Sequence, residues 1–281
     1  MEQRNNASSR EHSARLERLL LTGAAGGIGQ AIRHRVADFA RHVRISDLPG
    51  VLGSESAPHE EIVPCDLADR EAVDALAAEC DAVIHLGGVS VERPFEEVLE
   101  ANIKGVFNLY EAARRQGVKR IVFASSNHVT GFYRQDEIID ATARKRPDGY
   151  YGLSKSFGED MAQLYFDRYD IETVSIRIGS VFPEPKDRRM MASWMSHDDF
   201  HDLLRRSLFT PDVGHTIVFG MSANAHTWWD NRCAAHLGFV PHDSSEPFRE
   251  KVEGTPPPLP TDPVAVLQGG AFTTIGPFDP V

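Results

Sequence analysis

Short apolar runs alternate with amphipathic stretches through the first two-thirds of the chain, and that rhythm predicts the architecture. "RLLLT" at 18–22 is an apolar run that breaks at the glycines of "GAAGGIG". An amphipathic segment then continues to about Phe39, which reads as strand, loop and helix. "VRISD" predicts a second strand ending on Asp47, and "EIVPCD" a third ending on Asp66. "REAVDALAAEC" has helical spacing, and "DAVIHLGG" reads as a strand leaving into a glycine turn. A long helix is expected from about Pro94 to Gln116, followed by the strand "RIVFASS", a helix from near Tyr150 to about Tyr169, and the strand "ETVSIRIGS". Strands alternating with helices of this length imply an α/β fold with a right-handed, doubly wound parallel sheet.

After Ser180 the rhythm weakens. "PEPKDRRMMASWM" reads as a charged, proline-containing loop, "HDDFHDLLRRSLF" as a helix, "HTIVFG" as a strand and "WWDNRCAAHLGF" as a further helix. "GTPPPLPTDPV" predicts a proline-rich surface arm. The opening "MEQRNNASSREHSARLE" is polar and lacks an apolar core, so residues 1–17 are expected to form a loose tail rather than a leader or anchor. The expected division is therefore a cofactor-binding domain at 18–180 and, at 181–281, mainly a small substrate-binding lobe with its arm.

Composition narrows the partners. The chain has 281 residues, 41% of them hydrophobic, with 30 basic and 41 acidic side chains and a net charge of −11. No apolar run is long enough to span a bilayer. An acidic surface repels phosphate backbones and anionic lipid, which argues against nucleic acid and membrane partners, and any acidic substrate must meet a local cation. Cys65, Cys80 and Cys233 are widely spaced and without a CxxC, which reads as reduced thiols in a cytoplasmic protein.

Chemistry concentrates at three places. "TGAAGGIG" sets Gly23, Gly26 and Gly29 between a strand and a helix, where absent side chains let backbone approach a pyrophosphate. Asp47, at the end of the second strand, stands where a carboxylate accepts hydrogen bonds from an adenosine ribose and repels a 2′-phosphate, favouring NAD over NADP; its plain alternative is a turn cap before Pro49. Asp66, Leu67 and the "HLGG" at His85–Gly88 end neighbouring strands on the same sheet edge.

"DGYYGLSK" raises a choice between two tyrosines. Residues four apart share a helical face, so Tyr151 faces Lys155 and Tyr150 does not. An adjacent ammonium favours the phenolate, so Tyr151 is expected to have a lowered pKa and to take a proton from an alcohol as hydride leaves, with Ser126 positioning the substrate oxygen. His197 and His201 lie four apart at a helix start, but with no third ligand they read as a polar helix end capped by Asp198 or Ser196, and no metal is expected. "WWDN" reads as packing.

"TGAAGGIG", Ser126 and "YGLSK" together resemble the short-chain dehydrogenase/reductase superfamily in its extended branch, over roughly Arg18 to Gly270. The resemblance implies a Rossmann-type sheet and an enzyme that commonly pairs through helices, hence a homo-oligomer. "HLGGVSVERPFE", "FASSNHVTGFY", "RIGSVFPEP", "RRMMASWMSHDDF" and "WWDN" resemble the uronate dehydrogenases, which oxidise the anomeric hydroxyl of galacturonate or glucuronate with NAD to an aldarolactone. That similarity implies Tyr151 as proton acceptor, Lys155 as its partner and a cofactor contact, and Ser126 as the third catalytic group. It implies Ser90, Asn127, His128 and Ser180 on sugar hydroxyls and Arg189 on the carboxylate. Gly27, Ile28, Asp47, Asp66, Leu67, Leu86, Gly87, Gly88, Val89 and Val181 would touch NAD. The residues alone do not choose between Arg188 and Arg189, and His128 beside Asn127 reads equally as a buried structural pair. Two other functions fit the fold: a nucleotide-sugar epimerase or dehydratase, disfavoured by the short C-terminal lobe, and a non-catalytic NAD-binding protein, disfavoured by the intact Ser126, Tyr151 and Lys155.

Overall fold

A computed structural model describes residues 15–276 and Phe278. Seven strands form one sheet: β1 (Leu16–Thr22), β2 (Ala40–Ser46), β3 (Glu60–Ile62), β4 (Ala82–His85), β5 (Arg120–Ser126), β6 (Glu172–Ile178) and β7 (His215–Gly220). Their order is β7-β6-β5-β4-β1-β2-β3, and every pair is parallel. The strand order therefore reverses between β1 and β4, the crevice where such sheets receive ligands. The doubly wound parallel sheet expected from the sequence is the fold observed.

Apolar runs form these strands because both faces are covered. Along β1, Leu19 and Leu21 point to one core and Leu20 to the other. The first core joins the sheet to the helices α1 (Gly27–Ile32) and His197–Phe209. The second joins it to α2 (Arg70–Ala77), α3 (Gly105–Gln116) and α4 (Tyr150–Tyr169). Asp69 starts α2 by accepting from Glu71 N and Ala72 N, both at 3.0 Å, and Gly117 ends α3 in the left-handed region.

Several boundaries move from those expected. β1 starts at Leu16, inside the segment expected to be tail; residues 1–14 lie outside the described residues. The first helix stops at Ile32 and a 3₁₀ turn, Val36–Asp38, leads into β2. β3 keeps only three residues, because β2 is its sole partner on the sheet edge. The long helix before β5 is composite: a turn at Phe95–Val98, a π-helical stretch at Leu99–Lys104, then α3. The expected helix "WWDNRCAAHLGF" is instead a two-residue strand at Trp229–Asp230 and a 3₁₀ turn at Arg232–Leu237, since Trp229 pairs with Ile139 and packs on Phe219. The helix at His197–Phe209 is capped by Ser196, which accepts from Asp199 N at 2.9 Å. His201 stacks on Phe39 there, with ring centroids 4.7 Å apart.

Candidate active site

The C-terminal ends of β1, β2, β4 and β5 carry the candidate residues. Gly23 follows β1 with φ +72°, and a Cβ there would lie 2.6 Å from the Leu86 backbone, so the loops after β1 and β4 touch through glycine alone. A Cβ on Gly29 would overlap the Gly23 carbonyl, whereas at Gly27 nothing lies within 4 Å. Gly26 starts α1 as its N-cap, and the partly buried Ile28 packs against the first core. Asp47 receives Ala25 N on Oδ2 at 2.9 Å and Leu48 N on Oδ1 at 2.8 Å, which fixes its carboxylate beside the glycine loop. Asp66 follows β3 and accepts from Ala68 N at 2.9 Å; Leu67 packs into the second core, 2.8 Å from where a Cβ on Gly87 would sit.

The loop after β4 is held by a side chain that the sequence pattern did not single out. Asn102, in the π-helical stretch, accepts from Val89 N at 2.8 Å and donates to Val89 O at 3.0 Å and to Ser154 Oγ at 2.8 Å. A Cβ on Gly88, at φ +118°, would meet Asn102 Oδ1 at 2.5 Å. Ser90 lies exposed on this loop, two residues before Glu92. The buried Glu92 carboxylate accepts from Tyr150 N at 2.7 Å and Tyr151 N at 2.9 Å, occupying the N-terminus of α4.

α4 presents the two tyrosines differently. Tyr150 is exposed and sits edge-on to Phe95, while Tyr151 is buried with Lys155 Nζ 5.6 Å from its ring centroid. The Ser126 hydroxyl, ending β5, is close enough to the Tyr151 phenol to act on its acidity, so Ser126, Tyr151 and Lys155 come together. Their electrostatics differ from the expectation that lysine acidifies the phenol. Burial pushes Tyr151 up to about 12, opposed by the Ser126 hydroxyl and reinforced by Asp148. Burial also lowers Lys155 to about 8. Two groups sharing one enclosed space both lean toward neutrality, because burial is the largest influence on each. His85, bonded through Nδ1 to Thr22 Oγ1 at 2.7 Å, is held down at about 3 by burial first and by Lys155 second.

The residues after Ser126 turn into a buried 3₁₀ segment, Asn127–Thr130. With its amide oriented to satisfy both ends, Asn127 donates to Ile178 O at 3.0 Å and accepts from Arg189 Nη2 at 2.7 Å. Arg189 Nε donates to Gln268 O at 2.6 Å. Arg188 is tied elsewhere, donating to Glu253 O at 2.7 Å and Thr255 O at 2.8 Å. Arg189 therefore faces the Ser126–His128 segment and Arg188 does not. Ser180 is buried against Ser193, Oγ to Oγ 3.0 Å, and Val181 is enclosed in the first core. His128 Nδ1 lies 2.6 Å from Asp148 Oδ2.

The C-terminal arm departs furthest from expectation. Its proline-rich stretch is exposed, but the chain then returns: Gln268 is fully buried, and Phe272 stacks on His128 with ring centroids 3.8 Å apart. Asn102, Glu92, Asp148, Gln268 and Phe272 are the site residues that sequence reasoning missed. The pair "GG" after Gln268, closing a proline-rich segment, was the available signal for a sharp return.

The family model described as "NAD dependent epimerase/dehydratase family" matches residues 19–198. The chain belongs to that family. It is 61% identical to a uronate dehydrogenase of Pseudomonas putida over 93% of this chain and 97% of that one. It is 59% identical to a uronate dehydrogenase of Pseudomonas syringae pv. tomato over 97% and 98%. A crystal structure of a uronate dehydrogenase variant from Agrobacterium tumefaciens complexed with NAD superposes with a TM-score of 0.90 at 49% identity, covering 93% of this chain and 98% of that one. Members of this epimerase/dehydratase family depend on NAD, and the residues present fit such a group. Gly27 leaves open space, Asp47 keeps a fixed carboxylate at the end of β2, and Lys155 is a buried ammonium, its pKa lowered by burial, with no hydrogen-bond partner among the described residues.

Proposed function

We propose that the protein oxidises free hexuronates, galacturonate or glucuronate, at the anomeric carbon to the aldarolactone, with NAD as oxidant. The observation that carries this reading is Arg189: a guanidinium bonded to Asn127 Oδ1 beside Ser126, in a chain of net charge −11. A uronate carboxylate is the anion that guanidinium binds by paired hydrogen bonds. Ser90, Ser180, Asn127 and His128 supply short polar groups for the sugar hydroxyls. Ser126 positions the anomeric oxygen and Tyr151 takes its proton. The C1–H bond gives up hydride, and the anomeric oxygen becomes the lactone carbonyl, double-bonded to C1 outside the ring. NAD would supply the hydride acceptor and a positive charge, which would favour the phenolate that burial alone disfavours. Lys155 would hold the nicotinamide ribose, with Gly23–Gly29, Asp47, Asp66–Leu67, Leu86–Val89 and Val181 along the rest of the cofactor. In this reading residues 18–180 bind NAD and 181–281 mainly select substrate.

Among the described residues no helix is long and apolar enough to cross a membrane. The proposal includes a cytoplasmic homo-oligomer, supported by exposed Phe107 on α3 and Leu164 on α4.

The test is NADH formation with galacturonate, glucuronate, glucose and a UDP-sugar. Either hexuronate should turn over, Tyr151→Phe should abolish the reaction, and Arg189→Ala should weaken uronate binding far more than neutral-hexose binding. Because Tyr151 must ionise, the rate of the chemical step should rise from pH 6 to 9. Equal use of glucose and glucuronate, or a flat profile with chemistry rate-limiting, overturns the assignment.

A further inference from the structure

Three segments of chain, 128–131, 148–152 and 269–272, meet at a single carboxylate. Asp148, two residues before α4, has a fully enclosed side chain whose Oδ2 lies 2.6 Å from His128 Nδ1. Its backbone N–H donates to His128 O at 3.2 Å, so main chain and side chain grip the same residue. Three glycines from separate segments clear the space. A Cβ on Gly131 or on Gly269 would overlap Asp148 Oδ2, and one on Gly152 would overlap His128 O and meet Asp148 Oδ1 at 3.1 Å. Phe272 stacks on the far side of the imidazole, and Tyr151 meets it edge-on at 5.7 Å between centroids. A buried carboxylate is costly, and one partner with an orphaned second oxygen, Asp148 Oδ1, is poor compensation for stability alone.

The geometry has a consequence for hydrogen bonding. An ionised carboxylate only accepts, so Nδ1 of His128 must carry hydrogen, and in the neutral ring Nε2 then offers a lone pair. Burial and the nearby Arg189 favour the neutral ring, while Asp148 and Glu92 oppose them. Nε2 has no protein partner among the described residues and is not sealed from solvent.

We propose that Asp148 is a positioning residue that fixes His128 as the Nδ1–H tautomer, so that Nε2 accepts a hydrogen bond from a sugar hydroxyl and rejects a carboxylate. This rests on the hexuronate reading and deepens it. An Nε2–H or an imidazolium would compete with Arg189 for the substrate carboxylate and admit the sugar in the wrong register. An Nε2 lone pair set against a carboxylate oxygen repels it, which leaves Arg189 as the sole anion seat and disfavours dicarboxylates such as an aldarate.

Nitrogen-15 NMR of the His128 ring in the wild-type protein tests the tautomer directly, whether or not any sugar turns over. A neutral ring protonated at Nδ1 near pH 7.5 is expected. A double-mutant cycle then tests the consequence. Asp148→Asn should raise KM for the hexuronate about tenfold to a hundredfold, the scale of one charge-assisted hydrogen bond, with kcat falling far less. It should also tighten competitive inhibition by an aldarate, and NADH binding measured by fluorescence should hold within about twofold. In a His128→Gln background Asp148→Asn should add little. An Nε2–H tautomer or an imidazolium in the wild type overturns the proposal even if Asp148→Asn fails to fold. An equal KM penalty in the His128→Gln background overturns it as well, since Asp148 would then act on packing alone. Failure of the wild type to oxidise any hexuronate sinks the functional reading instead and leaves the tautomer result standing.

Discussion

Between Thr22 and Gly29 the chain is positioned by backbone: a parallel register on both sides of β1, a positive-φ turn at Gly23, and two loops touching where no side chain fits. Between Gln268 and Phe272 two backbone bonds, Gln268 N to Tyr133 O at 2.8 Å and Gly269 N to Gly131 O at 2.9 Å, are joined by a buried side-chain amide. Gln268 Nε2 donates to Arg134 O and Glu137 O, both at 2.9 Å, and its Oε1 accepts from Trp229 Nε1 at 3.0 Å. Its own carbonyl receives Arg189 Nε. The first region places groups by strand ends, which any sequence of the right period supplies. The second depends in addition on a fully satisfied buried amide that no periodicity announces. A site assembled in these two ways can keep its cofactor half constant while side-chain changes retune the substrate half.

The largest expected effect breaks the first region. Gly29→Ala puts a methyl into the Gly23 carbonyl and within 2.8 Å of Ala24 Cα, both backbone atoms that cannot step aside. A loss above about 4 kcal/mol is expected, read as a Tm drop of more than ten degrees or as insoluble protein. Gly27→Ala is the internal control, because its Cβ meets nothing within 4 Å. Its Tm should match wild type, while NAD affinity falls at least tenfold as the methyl enters the space left for the pyrophosphate. Equal Tm values for the two variants would show that the loop is soft and that backbone contact does not set it.

The next effect is in the second region. Gln268→Ala strands the buried Trp229 Nε1 and two part-buried carbonyls and loosens the arm that covers His128. Unpartnered buried groups cost about 1–3 kcal/mol each with strong non-additivity, so about 3 kcal/mol in total is expected by urea unfolding. Uronate KM should rise strongly while NADH binding stays unchanged. A parallel loss of NADH binding would show that the arm and the glycine loop are one cooperative unit.

What could be read from the chain follows the same divide. The sheet was legible because apolar runs such as Leu19–Leu21 and Ala82–Ile84 sit between glycine turns and helical spacing. Tyr151, Lys155 and Ser126 were legible because a four-residue spacing and a strand end fix direction. Arg189 was narrowed to two candidates and no further, since adjacent loop residues carry no phase; only its bond to Asn127 separates it from Arg188. The helix expected at "WWDN" failed because Trp229 is drawn into a short strand beside Ile139, a tertiary preference that outweighs local spacing. Asp148, Glu92 and Gln268 left no trace in the pattern: each is a single polar residue whose partner lies 20, 58 or more than 100 positions away. The expectation of an acidic Tyr151 failed for a different reason, since spacing gives the neighbour but not the burial that raises it.

Phe272→Ala carries the smallest effect and separates holding the arm from using it. The ring lies at 22° to the His128 imidazole and 6.2 Å from Tyr151 between centroids, yet it bears no hydrogen bond and is only half-buried. A stacked aromatic pair contributes about 0.5–1.5 kcal/mol beyond its buried area, so stability should fall by about 1 kcal/mol. The functional change should be a two- to tenfold rise in uronate KM, with kcat less affected and NADH binding constant. Phe272→Leu should restore most of the stability but little of the KM, because leucine fills the volume without the flat face that holds the imidazole in plane. Full recovery of KM by leucine would mean that the arm merely excludes water. The orientation of His128 would then belong to Asp148 alone, with the arm acting as a lid over a ring already set from behind.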